Sequence, residues 1–134
     1  MKKLLTTFIL VLLMTIFAHA QTVSLLLCER YDMERGPIGV STVFTTGYLT
    51  VVSISDKPMY YDEISIQYDR LGSDGKYYFY KKFPFTFPNG YQTVYFSRVG
   101  DNDMEFNIAG NYIVWLLDKY DNVISSTTVT IVDR

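Results

Sequence analysis

The sequence is poor in the residues most often used for chemistry. In 134 residues there is one histidine, one cysteine and one tryptophan. The histidine, His19, falls in an N-terminal stretch that reads as a cleavable leader. Lys2 and Lys3 give a positive start, Leu4 to Phe17 is apolar apart from threonines, and Ala18-His19-Ala20 has the small-x-small pattern of a signal-peptidase site. The apolar stretch falls short of the roughly 20 residues of a membrane-spanning helix, and no second long apolar run follows it. Residues 1–20 are therefore expected to be a cleaved signal peptide and residues 21–134 a single exported domain. The expected location is the envelope or exterior of a Gram-negative bacterium, with no membrane span after cleavage. Cys28 lacks a small residue before it, so the Leu25-Leu26-Leu27-Cys28 run does not read as a lipid-attachment site.

Without its leader the chain has no histidine. That excludes a Ser-His-Asp triad, a Cys-His pair, a histidine-ligated metal and a zinc finger. Losing Lys2 and Lys3 leaves 12 − 2 = 10 basic residues against 14 acidic ones, a net charge of −4. An acidic domain has no surplus of cations to neutralise phosphates, so nucleic acid is not an expected partner. No Gly-x-Ser-x-Gly, phosphate-binding glycine loop or metal-ligand spacing is present. Asp62-Glu63 and other carboxylates could form a glycosidase pair, but only at a cleft that a small β domain rarely offers. The expectation is a protein that is not an enzyme. A lone cysteine cannot close an internal disulfide, and apolar neighbours favour a buried, inert thiol for Cys28.

Helix formers are scarce too. Residues 21–134 contain a single alanine, Ala109, and seven leucines, against 11 valines, 8 isoleucines, 10 threonines and 12 tyrosines. β-Branched and aromatic side chains suit a pleated surface. Their period is 2, in short runs separated by turn residues, which signals an all-β sandwich or barrel. Strands are expected at about 22–29, 44–55, 62–70, 76–83, 91–99, 104–108, 111–118 and 123–132, with a loop over Arg30 to Gly39. Gly72-Ser73-Asp74-Gly75 and Lys119-Tyr120-Asp121-Asn122 are the expected hairpin turns. Asp56-Lys57-Pro58 reads as a break, and Pro84 and Pro88 mark a sheet edge or crossover. Seven to eight strands in 114 residues point to one antiparallel two-sheet sandwich.

The C-terminal third carries the most recognisable pattern. Phe106-Asn107-Ile108-Ala109-Gly110-Asn111-Tyr112 leads into an alternating strand containing Val114, Trp115 and Leu116, then a polar turn and a final strand. This resembles the end of secreted bacterial Ig-like or fibronectin III-like modules. The resemblance implies a corner role for Tyr112, its hydroxyl bonded to upstream backbone. It covers about 30 residues, departs from antibody domains in lacking the cysteine pair, and bears on fold rather than activity. Tyr112, Trp115 and Cys28 are thus expected to be structural.

Two binding chemistries remain. Tyr60, Tyr61, Tyr78 and Tyr80 are candidates for a ligand surface, since a tyrosine combines apolar area with a hydroxyl and can anchor a protein partner or stack on a sugar. Asp101, Asp103 and Glu105 alternate as oxygen ligands for calcium would, although the glycine and distal glutamate of an EF-hand are missing. Ordinary solvated loops also account for these carboxylates. No other cofactor is expected. The expected function is a secreted binding module of the protein-interaction or adhesion type. The alternatives are a carbohydrate-binding module and, behind it, a small hydrolase.

Overall fold

The structure, a computed structural model, describes residues 21–98 and 104–134; residues 1–20, expected as a leader, lie outside them. Among the described residues there is no helix, and so none long and apolar enough to cross a membrane. The chain runs β1 (Val23–Cys28), β2 (Arg30–Asp32), β3 (Gly36–Ile38), β4 (Val43–Thr45), β5 (Gly47–Tyr48), β6 (Thr50–Met59), β7 (Glu63–Leu71), β8 (Tyr77–Thr86), β9 (Tyr91–Phe96), β10 (Glu105–Phe106), β11 (Gly110–Asp118) and β12 (Val123–Val132). A three-stranded sheet has the order β1-β6-β9, and a five-stranded sheet the order β4-β12-β11-β7-β8. β10 pairs with β5, and β2 with β3. The chain is all-β, built from several sheets.

Alternation along the strands explains the core. On β7, Ile64, Ile66 and Tyr68 are buried, while Ser65, Gln67 and Asp69 are half-exposed. On β11, Tyr112, Val114 and Leu116 are buried on the same face. These side chains join Leu25, Val51 and Phe96 of the three-stranded sheet in a single hydrophobic cluster. Tyr68 lies at its centre, stacked on Phe106 at 4.2 Å and donating its hydroxyl to the Met104 carbonyl at 3.2 Å. The Ser125 hydroxyl on β12 donates to the Val23 carbonyl of β1 at 2.7 Å, tying the two larger sheets along one side.

Three expectations are corrected. The pairing is not antiparallel throughout, because β4 runs parallel to β12. The run expected as one strand over 44–55 is divided: β4 belongs to the five-stranded sheet and β6 to the three-stranded one. Gly47, at φ 145, lies between them where the chain changes sheets, a conformation side chains resist. Residues 30–39 form a hairpin rather than a loop. The Asp32 carboxylate accepts the N–H groups of Glu34 and Arg35 at 2.9 and 3.0 Å, and Gly36 takes φ 83 to close the turn.

Prolines are accommodated where ladders are incomplete. A fourth expectation is corrected: Asp56-Lys57-Pro58 does not break the run, and β6 continues through Pro58, where its pairing with β9 is irregular between Ile54 and Met59. Pro84 lies within β8, the outer strand of its sheet, where a missing N–H is tolerated.

The β2–β3 hairpin also folds over the far side of the three-stranded sheet, where Tyr31 stacks on Tyr95 at 4.5 Å. On that side Cys28 is fully buried and its thiol contacts the Thr50 carbonyl. Burial pushes the thiol pKa up, so little thiolate is available. A thiol reagent at neutral pH is therefore expected to leave Cys28 untouched in the folded protein and to label it stoichiometrically in denaturant. Mass spectrometry before and after unfolding checks this.

Candidate functional site

Three connections meet at one end of the fold, where β6, β8 and β11 finish and β7, β9 and β12 begin. They are residues 60–62, 87–90 and 119–122. The backbone N–H of Tyr61 donates to Asn89 Oδ1 at 2.7 Å, and Phe87 N–H to the Asp62 carbonyl at 3.2 Å. Tyr61 also packs edge-on against Phe87 at 5.3 Å. The third connection is shaped by Asp118, whose carboxylate accepts the N–H groups of Tyr120 and Asn122, each at 2.9 Å. Asp121 adopts φ 63 in this turn, a conformation aspartate tolerates better than most residues. Lys119 Nζ then reaches across to Asp62 Oδ2 at 3.0 Å.

Together these loops line an open surface cavity of about 280 Å³. Tyr60, Tyr61 and Tyr120 supply its aromatic walls, and Asp62, Glu63, Asn89, Asp118 and Lys119 its polar groups. Tyr60 and Tyr120 stand out from the surface at 70% and 74% exposure. Backbone N–H donation from Asn122, and then Tyr120, holds the Asp118 carboxyl below the usual carboxylate range. Burial, followed by the nearby Asp118 charge, pushes the Tyr61 hydroxyl pKa up. The bond to Asp62 raises the Lys119 pKa.

The four candidate tyrosines are not brought together. Tyr60 and Tyr61 precede β7, and Tyr78 lies opposite Arg70 near its far end, most of a nine-residue strand away. That length is roughly 30 Å. Tyr78 is exposed, and its hydroxyl is bonded to the Asp74 carboxylate across the β7–β8 turn. Tyr80 is half-buried against Tyr112 at 5.3 Å and accepts the Asn107 N–H at 3.1 Å. Tyr60 and Tyr61 thus lie at one end of β7, and Tyr78 and Tyr80 toward the other. The residue that does join Tyr60 and Tyr61 is Tyr120. In sequence it is one residue of a polar turn, and only the packing of strands separated by more than fifty residues places it there.

Of the calcium candidates, Asp101 and Asp103 lie outside the described residues. Glu105 is in β10, opposite Tyr48. Among the described residues no three His, Cys, Asp or Glu side chains are grouped to hold a metal.

The expected structural residues have distinct surroundings. The Tyr112 hydroxyl donates to the Ile108 carbonyl at 2.5 Å, and Arg70 Nε and Nη2 donate to the Ala109 carbonyl at 3.2 and 2.7 Å. Trp115 is on the outer face of the five-stranded sheet, where its indole N–H donates to Asp69 Oδ2 at 2.8 Å. Phe79, 65% exposed, lies opposite Asp69 on this face. Elsewhere an apolar groove of about 570 Å³ runs beside β9, lined by Tyr31, Phe85, Tyr91 and Phe96 without an ionisable acid or base other than tyrosine. The loop end differs from both surfaces in bringing aromatic rings and charged groups together in one cavity.

No protein-family model, curated protein sequence or solved structure matches this chain.

Proposed function

We propose that this chain is a secreted, non-enzymatic binding module with an Ig-like β-sandwich fold, and that it engages a protein partner through the loop end of the sandwich. The observation that carries the reading is the convergence of Tyr60, Tyr61 and Tyr120 around one cavity. Ig-like sandwiches gather their loops at the two ends, and tyrosine-rich loops provide rigid contact area at low entropic cost. The separate strand orders β1-β6-β9 and β4-β12-β11-β7-β8, and the Tyr112–Ile108 bond, support the Ig-like reading.

The experiment compares the protein with a Tyr60→Ala/Tyr120→Ala double variant on an envelope-protein extract and on a glycan array. Both rings are exposed, so the variant is expected to keep its melting temperature. The expected result is a protein captured by the wild type and held at least about 30-fold more weakly by the variant, as for two hot-spot side chains. Glycan binding that the variant loses would instead establish the carbohydrate reading. Capture unaffected by the double substitution would remove the loop end from the function.

A further inference from the structure

We infer that the loop-end cavity is a receptor for a cationic side chain, a lysine or arginine presented by the protein partner. This rests on the proposed binding role of the loop end and specifies the chemistry of the contact.

Charge is the first argument. Asp62, Glu63 and Asp118 line the cavity against a single Lys119, a net charge of −2. Lys119 is committed to Asp62. Among the described residues Glu63 and Asp118 are in no ion pair; the Glu63 carboxylate and Tyr60 hydroxyl make no hydrogen bond, while the Asp118 carboxylate accepts from the Tyr120 and Asn122 N–H groups and the Asn122 side-chain amide. Two negative charges next to electron-rich rings attract a cation and repel an anion.

The second argument is independent of the charge count. An ammonium group already rests at the rim. Lys119 Nζ is 3.0 Å from Asp62 Oδ2 and 5.2 Å from the centre of the Tyr120 ring. One carboxylate and one aromatic face therefore already hold a cation here. Tyr60, Tyr61 and Glu63 offer a second set of the same kind that no side chain among the described residues fills. An arginine suits it well, because its guanidinium can lie flat on a tyrosine ring while donating to a carboxylate. A neutral sugar would gain the ring contact but nothing from the uncompensated charge.

The test is a titration of the ¹³C-tyrosine-labelled protein, followed by NMR. The probes are acetyl-arginine amide, acetyl-lysine amide, acetyl-glutamate amide and maltotriose. Saturable shifts of the Tyr60, Tyr61 and Tyr120 rings are expected with the two cations only, weakening as salt rises from about 50 to about 500 mM. Glu63→Gln is expected to weaken arginine amide by about fivefold and Lys119→Gln to strengthen it by a similar factor, because they change the cavity charge in opposite directions. Neither substitution touches the core, and an unchanged spectrum elsewhere confirms the fold. No saturable shift with either cation, in the wild type or Lys119→Gln, would overturn the inference, as would equal shifts with acetyl-glutamate amide or shifts with maltotriose alone. If cations fail while Tyr60→Ala/Tyr120→Ala still abolishes protein capture, only this inference falls. If capture is also insensitive, the binding role of the loop end falls with it.

Discussion

Tyr112→Ala is expected to destabilise the protein by about 4 kcal/mol, within the range for removing a large buried aromatic ring. The ring is fully buried and packs edge-on against Phe106 at 4.9 Å and against Tyr80 at 5.3 Å. Its removal leaves a cavity bounded by other rings that cannot collapse into it. Tyr112→Phe separates the ring from the hydroxyl. It keeps the packing but takes a donor from the Ile108 carbonyl, and should cost about 1–2 kcal/mol. Urea titration of the three proteins measures both differences. A loss below about 1 kcal/mol for Tyr112→Ala would mean that this corner does not anchor the fold.

The same hydroxyl makes a pH prediction. Burial, and then the neighbouring Tyr80, push its pKa from 10.0 up to about 12. In the unfolded chain it ionises at the ordinary value, so the folded state binds the proton more tightly. The resulting stability is fully present below about pH 10 and is lost as pH rises toward about 12. Tyr112→Phe, with no proton to lose, should show a shallower decline across that window. Melting curves from neutral to alkaline pH distinguish the two.

Gly110→Ala is expected to cost about 3 kcal/mol, at the upper end for forcing a side chain into a backbone conformation that only glycine adopts readily. Gly110 has φ 155, and a Cβ there would come within 2.8 Å of Arg70 Nε. The neighbouring Ala109 carbonyl accepts both Arg70 donors, so the clash also displaces the guanidinium from its acceptor. An Arg70→Ala background separates the two causes. There the steric part disappears and the backbone part persists, so Gly110→Ala should remain destabilising but by a smaller amount. An equal cost in both backgrounds would show that the close approach contributes nothing.

Much of the fold can be read from local pattern. The strand over 123–132, the clean alternation of Ile64, Ile66 and Tyr68 against Ser65, Gln67 and Asp69, and the turn closed by Gly75 at φ 80 all match the expected positions. Each depends on neighbours two or three residues apart, which is the range over which strand period and turn chemistry act. The 30–39 segment was harder to read, because Gly36 and Pro37 signal a break whether the flanking residues pair or not. The division of 44–55 was hidden as well. Alternation continues through Gly47, so the period does not reveal that β4 and β6 join different sheets. A bulge adds a further difficulty: the β7–β8 register shifts between Tyr68 and Asp69, and simple alternation does not sort Tyr77, Tyr78, Phe79 and Tyr80 into one exposed and one buried pair.

By itself the sequence determined the β character, the lack of a histidine-based catalytic set and the acidic balance of residues 21–134. These follow from composition and from periods that need no knowledge of the rest of the chain. Tertiary structure decided which tyrosines share a surface. Tyr60, Tyr61 and Tyr120 meet because β7 and β11 pair antiparallel, with Ile64 opposite Asp118, so the start of one strand adjoins the end of the other. Tyr78 is excluded for the same reason, since the length of β7 carries it to the opposite end. Pairing register is set by burying one face of each strand across long sequence separations, and it determines which loops become neighbours.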